Sequence, residues 1–378
     1  MAMYAMIKGL HEAGKTVHLL AMNTSRHRVE QAKLPPLFTE IASCTLVATD
    51  TEIRIIPTLA NLLLSRKPQH ANRFYSKKFE QKLLETIHAI QPDVIQMESI
   101  YLHEYVAAIR RHSNALIVQR LHNIEAEIWQ RLAGESKKTF EKLYLQNLSK
   151  RIASYEQKVW KESDALIPIS STDAACIKNS GVDTPLCTIP YGIDISEATE
   201  RKASGSGAYH IGAMDWQPNI EAMQWMQEEI VPAVCKMLPE FAFEFAGRNM
   251  PEQFLTEKKA SFHCAGEVAD AEKFITSKNI LIVPLRSGSG IRIKTLEAMA
   301  AGKLVISTRI GIQGIDALDK IHFLEANTPE AFANALVWSA HNPDAALRIA
   351  QNAFDLLHSN HNQKKLMQTL HEFVEKLP

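Results

Sequence analysis

The sequence is informative first through what it does not contain. No apolar run reaches the roughly 18–20 residues needed to cross a bilayer. The start, MAMYAMIKGLHEAGK, lacks a basic segment followed by an apolar core, so it does not read as a signal peptide. There are only 5 cysteines (Cys44, Cys176, Cys187, Cys235 and Cys264), scattered and without a CxxC spacing. That excludes a disulfide framework and a structural zinc site, and it fits a reducing cytoplasm. Net charge is absent too, with 42 Lys+Arg against 42 Asp+Glu, which argues against a dedicated nucleic-acid binder. No GxGxxG follows a strand near the start, so a dinucleotide-dependent oxidoreductase is disfavoured, and there is neither a nucleophile elbow nor an Asp-x-Asp metal motif.

What is present is ordinary globular material, 46% apolar and 22% charged over 378 residues, enough for two domains. Helical and extended segments alternate. Residues 2–13 read as an amphipathic helix and Val17 to Met22 as a strand. Tyr75 to Ile90 reads as a helix with Phe79, Leu83, Leu84 and Ile87 on one face, ending before Pro92. Strands are expected at 93–98, 115–121 and 165–169, helices near 102–112 and 172–179, and one long helical stretch from Glu125 to Glu162. Short apolar strands between helices imply parallel sheets covered on both faces. The polar, Gly/Ser-ending stretch 191–207 reads as a linker between an N-terminal domain, 1–190, and a second α/β domain, 208–355. In the second, strands are expected at 208–212, 241–246, 261–264, 280–284 and 304–307. Helices are expected near 219–236, 251–258, 270–277, 293–301 and 329–340, before a terminal helical region, 343–376. Within that region, 356–378 is expected to pack back on the first domain. The fold class is α/β, two doubly wound Rossmann-like domains facing a central cleft.

The richest chemistry lies in Val283-Pro-Leu-Arg-Ser-Gly-Ser-Gly-Ile-Arg-Ile-Lys-Thr-Leu-Glu-Ala-Met-Ala-Ala-Gly302. Gly288 and Gly290 let backbone N–H groups approach an anion, and the following helix start adds partial positive charge. Arg292 and Lys294 add full charges, the arginine as a bidentate fork suited to phosphate. Glu297, one turn beyond Lys294, can accept from sugar hydroxyls. These are the parts of a nucleotide-diphosphate site; the competing explanation is a solvent-facing helix start with an intrahelical Lys294–Glu297 pair.

SGSGIRIKTLEAMAAGKLVISTRIGIQGI resembles the donor-site segment of family 4 glycosyltransferases with the GT-B fold. Ile189-Pro-Tyr-Gly-Ile-Asp194 is similar to that family's domain junction, and Gly212-Ala-Met-Asp-Trp-Gln-Pro-Asn219 to the loop opening its second domain. Ala246-Gly-Arg248, Gly266-Glu-Val-Ala-Asp270 and Leu121-His-Asn-Ile-Glu125 resemble further loops in the same order. The resemblance implies a nucleotide-sugar donor, UDP- or GDP-linked, retention of anomeric configuration and no cofactor or metal. It implies that Gly290, Arg292 and Lys294 surround the diphosphate, that Glu297 binds the ribose and that His122 faces the reacting sugar. Gly212 and Asp215 would line the donor site, although Asp215 or Asn219 could equally cap a helix. Arg248 would reach phosphate or form a surface ion pair, and Gly266 and Glu267 would sit near the base edge. His122 could instead be a hydrogen-bonded histidine at a strand end.

Two departures from the family pattern stand out. The family's first glutamate, separated from the ribose-binding one by seven intervening residues and near the donor sugar, is replaced here at Ser289, a shorter hydroxyl. The usual opening strand and glycine-rich turn, roughly 10–20 residues, precede the point where this sequence starts. Their loss would leave neighbouring strand edges unpaired, and it points to a misplaced start codon or a fragment. The zero net charge also conceals a split. Residues 1–165 hold 23 Lys+Arg and 17 Asp+Glu, and the remainder 19 and 25. The basic segment 66–82 suggests a glycan or lipid-linked acceptor and an anionic membrane surface as partners, with peripheral association on a cytoplasmic protein. The competing readings are a solvated basic face for that segment and, for the chain, a non-catalytic nucleotide-sugar-binding protein, a truncated inactive form, or a GT-B-fold epimerase.

Overall fold

The computed structural model describes residues 2–25, 28–30, 34, 38, 42–51, 67–136, 138–195, 207–256, 261–288 and 290–377. The chain divides into two units, Met1–Gly192 with Gln363–Pro378, and Ile193–Asn362.

In the first unit, β1 (Val17–Thr24) pairs in parallel with β2 (Ala42–Thr49). Separately, β3 (Val94–Met97), β4 (Leu116–Leu121) and β5 (Ala165–Pro168) form a parallel three-stranded sheet in that order. The two sheets share a core but no ladder: Val47, Leu20 and Met22 pack with Ile95, Met97, Ile117, Phe79, Ile87 and Ile109. In these two sheets β1, β2, β3 and β5 each keep one edge without a strand ladder among the described residues.

The expected single helix from Glu125 to Glu162 is two, Glu125–Glu135 and Thr139–Glu162. Ser136 and Lys138 adopt extended backbone, so the chain reverses there. Apolar periodicity runs through the break because both helices bury their stripe against each other, around Ala126, Leu148 and Ile152. The terminal helical region likewise splits, into Pro343–Asn360 and Gln363–Val374, which belong to different units. The second of these packs on the Ala2–Glu12 helix through Leu366, Met367 and Met6, and Gln363 donates to the Ala5 carbonyl at 2.7 Å. That approach requires Gly9, where a Cβ would lie 2.5 Å from Met367 Cγ.

The second unit has one continuous parallel sheet, in the order β11 (Leu324–Glu325), β10 (Leu304–Ser307), β9 (Ile280–Val283), β6 (Ala208–Ile211), β7 (Phe243–Ala246) and β8 (Phe262–Gly266). Its central strands are mostly buried, while the edge strand β8 exposes His263 and Ala265; Phe245 stacks on Phe262 with centroids 4.2 Å apart. The expected 219–236 helix is Gln217–Trp225, a one-turn π segment Met226–Ile230, and Val231–Met237. Pro232 lacks an N–H and clashes with the preceding turn, which accounts for the irregularity. Strand order reverses between β6 and β9, and in open α/β sheets ligands bind outside the carboxyl ends at such a point. Among the described residues no helix is long and apolar enough to cross a membrane.

Candidate functional site

The loops at the carboxyl ends of β6, β7, β8 and β9 carry most of the residues singled out from sequence. After β9 the backbone turns through Gly288 (φ 108°) and Gly290 (φ 83°), conformations open to glycine, into the Ile293–Ala300 helix. A Cβ on Gly288 would sit 2.8 Å from Trp216 Cζ2 and 3.0 Å from Arg292 Nη2, so the loop, the indole and the guanidinium form one packed layer. The Arg292 guanidinium lies 5.0 Å from the Trp216 ring centroid, a cation–π contact. Arg292 is buried, and burial pushes its pKa down to about 10. Ser289 lies outside the described residues.

Lys294 does not pair with Glu297. Its ammonium donates to Asn219 Oδ1 at 2.9 Å and to His210 Nε2 at 3.2 Å. His210 in turn donates from Nδ1 to the Ile282 carbonyl at 2.8 Å, which leaves Nε2 as an acceptor. Burial, then the Lys294 charge, holds His210 well below its usual range, so the ring is neutral. Burial, then the Arg292 charge, pushes Lys294 down to about 7. Lys294 is thus drawn into an interior where its described partners are neutral dipoles, and Arg292 lies buried against the Trp216 ring. Such a site favours an anion that completes it.

Glu297 is half-buried and its carboxylate makes no hydrogen bond or ion pair with a described residue; burial raises its pKa. The Tyr209 hydroxyl, also without a hydrogen-bond partner among the described residues, is raised by burial and then by the Glu297 charge. The Glu297 carboxylate therefore keeps its acceptor capacity free.

Of the remaining residues, Asp215 and Arg248 are exposed and bond to each other at 2.8 Å, the surface ion pair already weighed for Arg248. Neither Asp215 nor Asn219 caps a helix. Trp216 stands at the cap position without a capping bond, and Asn219 turns inward, bonding Ala213 O at 2.8 Å as well as Lys294. Gly212 faces Asn219 closely, since a Cβ there would meet Asn219 Nδ2 at 2.7 Å. Gly266 (φ 67°) ends β8 and accepts from Gly247 N at 2.8 Å, and Glu267 beside it is exposed. Sequence reasoning missed His210 and Trp216 and gave Asn219 the wrong task. A histidine inside the otherwise apolar strand Ala-Tyr-His-Ile was the available signal.

His122 belongs to the first unit, at the carboxyl end of β4. Its Nε2 lies 2.8 Å from Glu98 Oε2, at the end of β3. Arg120, buried in β4, lies 3.7 Å from the other Glu98 oxygen, and Gln96 donates to it. Burial alone would raise Glu98, but the bonds and charges from His122, Arg120 and Gln96 outweigh it and hold the carboxyl below its ordinary value. The loop following His122 leads into the Glu125–Glu135 helix, whose cap residue Ile124 offers no side-chain acceptor. Glu156, fully buried on the Thr139–Glu162 helix, does this instead, accepting from Glu125 N at 2.7 Å and Ala126 N at 3.1 Å. Burial pushes Glu156 up to about 8.

Residues 2–197 match Glycosyltransferase Family 4, and residues 207–342 match Glycosyl transferases group 1. The chain belongs to glycosyltransferase family 4 and is a glycosyltransferase of the GT-B fold class. A Klebsiella pneumoniae relative, "Uncharacterized 44.6 kDa protein in cps region", is 24% identical over 288 residues, covering 71% of each chain. Among solved structures, HepE of Anabaena in complex with UDP matches with a TM-score of 0.66 at 14% identity, over 100% of this chain and 96% of that one. Sucrose-phosphate synthase from Thermosynechococcus elongatus matches at 0.65 and 15% identity, over 98% and 90%. A glycosyltransferase from Rickettsia africae matches at 0.64 and 14% identity, over 99% and 93%.

Proposed function

We propose that this glycosyltransferase moves a sugar from a UDP- or GDP-sugar to a glycan or lipid-linked acceptor, with retention of configuration and without a metal ion. The observation that carries the donor half is the pair of buried cations, Arg292 and Lys294, at the glycine-opened start of the Ile293–Ala300 helix, with Glu297 uncommitted one turn on. The solved complexes of HepE with UDP and with UDP-glucose favour the uridine nucleotide. The relative from a cps region favours a polysaccharide product.

In this reading the sugar–phosphate bond breaks through an oxocarbenium-like transition state. Arg292, Lys294 and the helix-start amides take up the charge that develops on the departing diphosphate. The acceptor hydroxyl attacks from the face the diphosphate leaves, and its proton passes to the leaving phosphate oxygen. No protein nucleophile is consumed. Glu98 keeps His122 oriented at the end of β4, ready to hydrogen-bond the donor sugar.

A thermal-shift screen of UDP-, GDP- and ADP-sugars, followed by product analysis with and without glycan acceptors, tests this. A UDP- or GDP-sugar should stabilise the chain and be turned over to an α-configured product from an α-configured donor. Donor binding without transfer or hydrolysis would establish the non-catalytic reading. An epimerised sugar nucleotide formed without acceptor would establish the epimerase.

A further inference from the structure

Four large apolar side chains stand in water around one bend of the first unit. Leu132, in the last turn of the Glu125–Glu135 helix, is 43% exposed; Phe140, Leu143 and Tyr144, in the first two turns of the Thr139–Glu162 helix, are 91%, 59% and 36% exposed. The last three occupy positions i, i+3 and i+4 and so share one face. The same helix buries Leu148, Ile152, Tyr155 and Val159; Tyr144 stands one turn before Leu148, so the exposed group carries the apolar stripe past the end of the core and, at Phe140 and Leu143, out to one side of it. The two helices meet at Ser136–Lys138, which keeps all four side chains within roughly two turns of the bend.

The charge around the stripe has one sign in excess. Residues 131–142 contain Arg131, Lys137, Lys138 and Lys142 against Glu135 and Glu141, and Glu141 is engaged by Ser136 Oγ at 2.9 Å. Arg131, Lys138 and Lys142 are all exposed. Continuing at helical spacing, the face that carries Phe140 and Tyr144 runs through Asn147 to Arg151, whose guanidinium donates to the Lys67 carbonyl. Lys67, in the basic segment 66–82, therefore lies beside this face, about 16 Å along the helix from Phe140. Within that segment Lys67 pairs with Glu104, Arg73 donates to Thr51 O and Lys82 pairs with Glu85, so part of its charge is already engaged. The bend, by contrast, offers apolar side chains together with exposed cations.

We propose that the bend at residues 131–144 is a membrane-docking surface. Leu132, Phe140 and Leu143 enter the boundary between headgroups and acyl chains of an anionic bilayer, and Arg131, Lys138 and Lys142 lie among its phosphates. Burying an aromatic and two leucines at that depth, with basic side chains around them, is the chemistry of an interfacial helix. A protein partner is the weaker fit, because the centres of protein interfaces are depleted in lysine. Nothing in this assignment depends on the donor site.

Flotation of the full chain with vesicles of phosphatidylcholine containing roughly 30% phosphatidylglycerol, beside pure phosphatidylcholine vesicles, tests it. The chain should float with the anionic vesicles, and the bound fraction should fall as salt is added. Phe140→Asp with Leu143→Asp should lower binding by at least about tenfold. Lys138→Glu with Lys142→Glu should lower it several-fold and flatten its salt dependence. Each variant should keep the parent's UDP-induced thermal shift, which shows the fold intact. The proposal is overturned if the parent chain stays unbound to anionic vesicles, or if the aspartate variant floats like the parent. It is equally overturned if light scattering shows a self-associated parent that the aspartate variant dissociates, with no vesicle binding. A missing UDP shift in the parent would count against the donor reading and leave the flotation result standing.

Discussion

The two units hold their functional charges in opposite ways. In the second, a continuous six-stranded sheet supports two cations in a buried layer of neutral partners: Trp216 beneath Arg292, and His210 with Asn219 around Lys294. In the first, where the strands form two separate sheets, charge meets charge at Glu98 and Arg120, and His122 bonds the same carboxylate. The loop after His122 is steadied from afar by Glu156. The contrast separates a lysine whose described partners are neutral from a carboxylate that meets an arginine. Uncompensated buried charge lowers lysine and arginine pKa values and favours an incoming phosphate; compensated charge fixes a side chain in place.

The largest effect should come from removing the two buried cations. Arg292→Ala with Lys294→Ala is expected to lower kcat/KM by about a thousandfold or more, since both act on charge that develops in the transition state. Near-parental turnover of the double variant would remove the basis of the donor assignment. Next comes the support of Lys294. Asn219→Ala deletes one acceptor of a charged hydrogen bond and should weaken nucleotide-diphosphate binding by about 10–100-fold, read as UDP affinity by calorimetry.

The same asymmetry predicts a proton effect. Lys294 is held near 7 in the free protein, so at pH 8 most of it is neutral. A bound diphosphate favours the ammonium and raises that pKa. Binding at pH 8 should therefore take up a fraction of a proton, and UDP affinity should weaken as pH rises above 7. Calorimetry in buffers of different ionisation enthalpy reads the uptake directly; identical apparent enthalpies would show that Lys294 is charged in both states.

In the first unit, Glu156→Gln should cost about 1–3 kcal/mol, because one of two buried amide donors loses its acceptor. This corresponds to a fall of several degrees in Tm. If the capping also positions His122, kcat should fall while KM for the donor holds, and Glu156→Asp should restore less than full activity. The smallest change is expected for Arg248→Ala, which breaks a pair whose side chains are 59% and 48% exposed. Stability should move by no more than about 0.5 kcal/mol. A large rise in donor KM in that variant would show that Arg248 leaves Asp215 for the nucleotide.

Much of this was legible beforehand because the information is local. Gly288, Gly290, Arg292, Lys294 and Glu297 lie within ten residues, on a strand–loop–helix whose boundaries glycine and apolar periodicity mark clearly. The break at Ser136–Lys138 was not legible, because a helical hairpin can carry apolar spacing across its turn when both arms bury the same stripe. Nor were the partners of Lys294. Glu297, one turn away, was the near choice by sequence, whereas His210 and Asn219 lie 84 and 75 residues distant and reach the ammonium only after β6 and β9 pair. Glu156 escaped for the same reason, since a cap supplied from 31 residues downstream leaves no local pattern.

By itself, the sequence determined the alternation of strands and helices, the family, and the short segment that gathers glycine, cations and a carboxylate, because each rests on neighbours along the chain. Tertiary structure decided which groups each of those charges meets. That depends on desolvation and on dipoles brought together by sheet pairing. It also decided that Phe140, indistinguishable in sequence from any core aromatic, stands in water.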